Sequence, residues 1–151
     1  MTAEPQTPSN FLQIGEAAER SGLTQRTLRY YEEKGLLHPP SRMEGGFRLY
    51  SDEDIERVER IKELRDLLGF SLADIKEMLE AEDVRLQIRA EWRKDADAAE
   101  KVQKLQKARE VTAAQLALID SKMGKMAEMR QTIVERLEKY DAWLKQAPGA
   151  R

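Results

Sequence analysis

Two guanidinium groups and two phenols stand within six residues of one another, at Arg26, Arg29, Tyr30 and Tyr31, with Gln25 and Thr27 beside them. These are groups suited to phosphate esters: arginine offers a forked pair of donors to anionic oxygens, and tyrosine packs its ring on a sugar while its O–H donates. Arginine and tyrosine recur downstream at Arg42, Arg48 and Tyr50. No competing chemistry is assembled elsewhere. The chain has no cysteine, which removes disulfides, thiolate metal sites and iron–sulfur clusters. His38 is the only histidine and has no second ligand or carboxylate at useful spacing, so it makes neither a metal site nor a convincing base. With no glycine-rich phosphate loop and no nucleophile motif, no catalytic residue, cofactor or metal is expected, and the chain does not read as an enzyme.

The elements that must position these groups follow from spacing. Ile14, Ala17, Ala18 and Ser21 recur at the interval of one helix face, and Gly22 stands where a helix C-terminus favours positive φ. Thr24 is placed to cap a second helix through its hydroxyl. Two short helices joined by so tight a turn must cross steeply, which is the helix-turn-helix arrangement. Leu28 and one edge of the tyrosines are all the second helix has to bury, with Tyr30 read as the more core-like ring, so its other face is left to Gln25, Arg26 and Arg29. Residues at the N-terminal end of such a helix face the groove floor, which makes Gln25 or Arg26 the expected reader of base edges.

After Gly35 the pattern changes. Pro39 and Pro40 end any helix, and Glu44, Gly45 and Gly46 supply turn chemistry between 41–43 and 47–50. A strand period of two places Phe47 and Leu49 on one face and Arg48 and Tyr50 on the other, outward-facing one. Together these residues form a helix-turn-helix followed by a basic wing.

The runs Leu23-Thr24, Thr27-Leu28-Arg29-Tyr30-Tyr31-Glu32, Lys34-Gly35-Leu36, Pro39-Pro40, Gly46-Phe47-Arg48-Leu49-Tyr50 and Gly69-Phe70-Ser71-Leu72 with Ile75 resemble the MerR family of bacterial transcription regulators. The likeness covers roughly residues 12–80, about half the chain. It implies a winged-helix DNA-binding domain on a dimer held by a long antiparallel helix pair. It also implies a two-fold-symmetric promoter element whose DNA is distorted, with RNA polymerase as the partner at the promoter. The contact set expected on double-stranded DNA is Thr24, Gln25, Arg26, Thr27, Arg29, Tyr30 and Tyr31 from the helix, with Arg42, Arg48 and Tyr50 from the wing. The family carries a second wing with an arginine just before it. Arg65 is the nearest match here, although the run Arg65-Asp66-Leu67-Leu68-Gly69 holds an extra leucine.

Charge qualifies that picture. Residues 1–80 hold 11 Lys+Arg against 16 Asp+Glu, a balance of −5, where a DNA-binding domain is expected to be basic. Resolved locally, residues 20–50 carry six cations against three carboxylates, and the acid collects in 51–80, with ten carboxylates against five cations. A narrow basic footprint predicts modest non-specific affinity with steep salt dependence. No apolar run approaches 18 residues and no signal-peptide pattern opens the chain, so a cytoplasmic protein without membrane contact is expected.

Residues 1–11 read as a disordered tail rich in Pro, Thr, Ser and Gln, and residues 12–81 as the DNA-binding domain. Ser51 with Asp54, and Ser71 with Asp74, carry helix-start patterns. Ile55, Val58, Ile61, Leu64 and Leu68 form the stripe between them, and Gly69 ends that helix. From about residue 82 no turn signal is apparent before Pro148, which assigns 82–123 to a long dimerisation helix and 124–147 to a C-terminal helix, with Gly124 marking a break. Alternating a and d positions from Val102 to Leu144 are apolar at ten of thirteen places, a seam of period 3.5. Val102, Leu105, Thr112, Leu116, Ile119 and Met123 form its dimerisation part; Arg109, Thr112 and Arg130 are its polar members.

Such a stripe needs a partner helix, because each large side chain gains roughly 1.5–3 kcal/mol on full burial. The expected partner is a second copy. Met123, Met126 and Met129 read as packing residues rather than thioether metal ligands. Trp92, Tyr140 and Trp143 leave open a pocket for an unidentified small-molecule effector, beside the plainer reading as helix anchors.

The expected fold is mainly α, a winged helix-turn-helix domain followed by a long helix in an antiparallel dimeric coiled coil. The expected function is a homodimeric, sequence-specific regulator on an inverted repeat. The rival is a coiled-coil architectural or interaction protein that binds DNA blind to sequence. Neither the effector, the promoter nor the sign of regulation is legible.

Overall fold

The computed structural model describes residues 11–38, 41–42 and 46–149, with only the backbone at 41 and 42. The elements run β1 (Phe11–Gln13), α1 (Ile14–Ser21), α2 (Gln25–Glu33), β2 (Ser41–Arg42), β3 (Arg48–Ser51), α3 (Asp52–Lys62), α4 (Leu72–Ala90) and α5 (Ala98–Gln146), with a π-helical turn at Glu63–Leu67. They divide into two units, residues 1–80 and 81–151.

In the first unit the sequence signals for helix ends are realised as hydrogen bonds. Gly22 takes φ +70° and its N–H closes the end of α1. Thr24 Oγ1 accepts from Thr27 N at 3.1 Å, capping α2. Ser51 and Asp54 form a reciprocal capping box on α3, at 3.1 and 2.9 Å, with Asp52, Glu53 and Asp54 in the first turn where the helix dipole favours carboxylates. Ser71 Oγ accepts from Asp74 N at the start of α4. One face of each helix is thereby aimed inward: Ala17 and Ala18 of α1, Leu28 and Tyr31 of α2, and Ile55, Val58 and Ile61 of α3 are buried, with Leu36, Leu64 and Ile75 completing the core.

Three differences from the sequence reading have physical causes. The sheet has three antiparallel strands in the order β1-β3-β2, not a hairpin alone, and Phe11, assigned above to the tail, begins β1 and pairs with Ser51; the rest of that tail lies outside the described residues. Leu49 and Tyr50 are both buried while Phe47 is exposed, and Tyr50 turns its hydroxyl to Glu32 of α2, so the outward face expected for Tyr50 is not what forms. The helix after the wing also ends differently. Leu68 N–H bonds to Glu63 O, five residues back, and this π turn absorbs the extra leucine. Leu64 stays buried, whereas Leu68 is exposed and Phe70 is buried beyond it.

In the second unit α5 is one uninterrupted helix of 49 residues through Gly124, about 73 Å at 1.5 Å per residue. The break expected at Gly124 falls instead at 91–97, between α4 and α5. Asp97 caps the new helix by accepting from Glu100 N at 2.8 Å. Lys101 and Lys104 then tie the connection down, donating to the carbonyls of Lys94 and Glu91 at 2.7 and 3.0 Å. No residue of α5 is buried.

Candidate nucleic-acid interface

The buried side of α2 fixes what its other side presents. With Leu28 and Tyr31 in the core, Thr24, Gln25, Arg26, Arg29 and Tyr30 are exposed and Thr27 is half-buried. The hydroxyls of Thr24 and Thr27 are 2.8 Å apart and engaged with one another. Lys34 lies over the Tyr30 ring, 5.5 Å from its centroid. Arg26 and Arg29 make no ion pair or hydrogen bond among the described residues. Most other cations of the unit have a partner: Arg20 meets Asp52, Arg60 meets Glu63 and Lys62 meets Glu59. Two uncompensated guanidinium groups one turn apart on an exposed helix are donors waiting for an anion.

The wing joins this face through a carboxylate. Glu32, on the buried edge of α2, accepts from Arg48 Nε at 3.0 Å and from the Tyr50 hydroxyl. Glu32 is 10% exposed and Arg48 28%. Burial and the bond to Glu32 push the Tyr50 phenol well above its ordinary pKa, so it remains a donor across the neutral range. Arg42 lies opposite Arg48 in the strand register, and its side chain lies outside the described residues.

A second arginine is held in the same manner. Arg65 donates through Nη1 to the Tyr31 hydroxyl, lies 5.8 Å from that ring's centroid, and pairs through Nε with Asp66 at 2.7 Å. Burial raises the Tyr31 phenol pKa against the lowering effect of Arg65.

Of the eleven residues predicted to form the contact set, Thr24, Gln25, Arg26, Arg29 and Tyr30 share the exposed face of α2. Arg48 and Arg65 are each bonded to a residue of that helix. The expectation that Tyr30 would be the more core-like ring is reversed: Tyr31 is 1% exposed and Tyr30 39%. Tyr50 is also 1% exposed, so both buried rings reach the surface only through their hydroxyl partners. Sequence reasoning missed Glu32 and Asp66. The signal for Glu32 was available, since it falls beside Leu28 and Tyr31 on the inward face, and a carboxylate there requires partners.

In the second unit the seam is bare: Val102, Leu105, Leu116, Ile119 and Met123 are exposed, and Thr112 is turned to its own helix, its hydroxyl donating to Ala108 O. Tyr140 and Trp143 stack obliquely, ring centroids 5.7 Å apart, over a shallow cleft of about 380 Å³ with Leu144 and Ala147. Trp92 does not line it, so the three aromatic residues do not form one pocket.

A helix-turn-helix with an arginine-bearing wing is the architecture of a DNA-binding protein. Residues 12–82 match the model of the MerR HTH family regulatory protein. The HTH-type transcriptional regulator YfmP of Bacillus subtilis (strain 168) is 38% identical over 129 residues, covering 85% of this chain and 89% of that protein. The Heavy metal-dependent transcription regulator 2 of Rhizobium meliloti (strain 1021) is 33% identical over 122 residues, covering 81% and 71%. The fold is shared with the crystal structure of HiNmlR, a MerR family regulator lacking the sensor domain, bound to promoter DNA, at a TM-score of 0.51 and 24% identity over 90% of each chain. The chain belongs to the MerR family and is a DNA-binding transcription regulator. Among the described residues no group of three or more His, Asp or Glu is placed to hold a metal, and no helix is long and apolar enough to cross a membrane.

Proposed function

We propose that this regulator works in the cytoplasm as a homodimer on an inverted-repeat promoter element, with one α2 in the major groove of each half-site. Gln25 and Arg26 reach base edges. Thr24, Thr27, Arg29 and Tyr30 hold the flanking phosphates, and Arg42, Arg48 and Arg65 extend the grip to the backbone on either side. Tyr31 and Tyr50 contribute from inside the domain by orienting Arg65 and Glu32. The observation that carries this reading is the pair of guanidinium groups, Arg26 and Arg29, without a partner among the described residues, on the face of α2 that the core leaves open.

The second copy is supported by the exposed seam of α5. A helix with no buried residue and an apolar position every three or four residues is not stable alone in water. Antiparallel pairing of two such helices gives the two-fold axis that an inverted repeat requires. Distortion of the promoter for RNA polymerase accords with family membership. A small-molecule effector, if one acts, has the aromatic cleft of α5 as its apolar surface.

A gel-shift selection from random duplexes tests the reading. Recovery of a symmetric site is the expected result. Length-dependent binding blind to sequence would overturn it in favour of an architectural role.

A further inference from the structure

Glu32 is the one carboxylate on α2 that faces inward, with its side chain 10% exposed. A carboxylate taken out of water at that depth is costly unless it accepts charge-assisted or strong hydrogen bonds. It takes two, from Arg48 Nε and the Tyr50 hydroxyl. Those donors are two residues apart on β3, on the same side of a strand, so one carboxylate spans both. The wing is therefore latched to the reading helix by a group that is itself the wrong sign for DNA. The bond uses only Nε of Arg48, and its two terminal nitrogens carry no hydrogen bond among the described residues.

We propose that Glu32 is a positioning residue for DNA binding: it holds the Arg48 guanidinium against α2 so that the free fork engages a phosphate beside the one held by Arg29. This rests on the reading above that Arg48 touches DNA. Two effects of Glu32 oppose one another, and their signs differ. As a negative charge near the backbone it weakens binding, so its removal would tighten the complex. As the anchor of Arg48 it strengthens binding, so its removal loosens the complex. An anchored arginine neutralises a phosphate and releases a counterion, whereas a swinging one does so only part of the time.

The test is a double-mutant cycle on the full chain, with DNA affinity measured across a salt series for Glu32→Gln, Arg48→Ala and the double variant. The expected result is about tenfold weaker binding for Glu32→Gln, with the slope of log K against log salt reduced by about one, the same for Arg48→Ala, and no further loss in the double variant. The slope separates positioning from simple destabilisation, because a partly unfolded sample loses apparent affinity without losing a phosphate contact. Should glutamine disturb folding, Glu32→Asp keeps the charge, shortens the reach and is expected to lower the slope likewise. If Arg48→Ala weakens binding but Glu32→Gln leaves it unchanged or tightens it, the positioning role is wrong and the Arg48 contact stands. If Arg48→Ala changes neither affinity nor slope, the contact itself is wrong and the inference falls with it.

Discussion

The two units bury their apolar residues in opposite ways. In residues 1–80, Leu28, Val58, Ile61 and Ile75 are fully buried by neighbours in the same chain, whereas across all of α5 no side chain is buried and Leu105, Leu116, Met123 and Leu137 are more than half exposed. The first unit has closed its own core. The second carries half of one. Roughly 25 cal/mol per Å² of apolar surface favours covering it, and under the proposed reading the cover is a copy of the same helix. The chain thus separates a unit that packs internally, and displays the arginines, from a helix whose apolar seam nothing in its own unit buries.

Substitutions can break this contrast, and the largest effect is expected in the seam. Leu116→Asp with Ile119→Asp puts two charges into the surface that pairing must bury, and sedimentation equilibrium should find monomers that no longer recover a symmetric DNA site. Persistent dimers would mean the seam is misassigned. Next comes the closed core: Ile61→Ala should cost about 2–5 kcal/mol in chemical denaturation, with a midpoint independent of protein concentration. The matching change in α5, Leu116→Ala, should instead lower a transition whose melting temperature depends on protein concentration with or without the substitution, as expected when folding is linked to association.

Arg29→Ala leaves both units folded, so its effect should appear only in binding. A loss of about tenfold on every sequence alike, with a salt slope lower by about one, marks a phosphate contact. Altered preference at a single base position would make it a base reader instead. The smallest effect concerns pH. The Tyr50 phenol is raised above its ordinary value of 10.0 by burial and by Glu32. The unfolded chain therefore releases this proton first, and the stabilisation present below about pH 10 is lost as pH climbs through the folded value. The melting temperature should fall above about pH 10, and Tyr50→Phe should flatten that fall.

Signals that act within a few residues were legible in the sequence. Gly22 at positive φ, the Thr24 and Ser51 caps and the arginines of α2 each depend on their immediate neighbours, and each took the expected place. Signals that depend on distant packing were not. β1 is three residues long and exists because β3 lies beside it. Tyr50 lies inward because its hydroxyl meets Glu32, 18 residues earlier on α2, a contact that strand alternation does not register. The inversion of Tyr30 and Tyr31 comes from the same source, since Arg65, 34 residues beyond Tyr31, is what the inner hydroxyl meets. The break at 91–97 contains neither glycine nor proline. Its one mark was Asp97 three residues before Glu100, a capping pattern that a long run of helix-favouring residues obscured.

A hydroxyl-radical footprint on the selected duplex tests the central claim most directly. Two protected patches of equal strength related by a dyad, both lost together when Arg26 and Arg29 are replaced by alanine, are the result expected of paired α2 helices. A single one-sided patch, or protection that survives loss of both arginines, would contradict it.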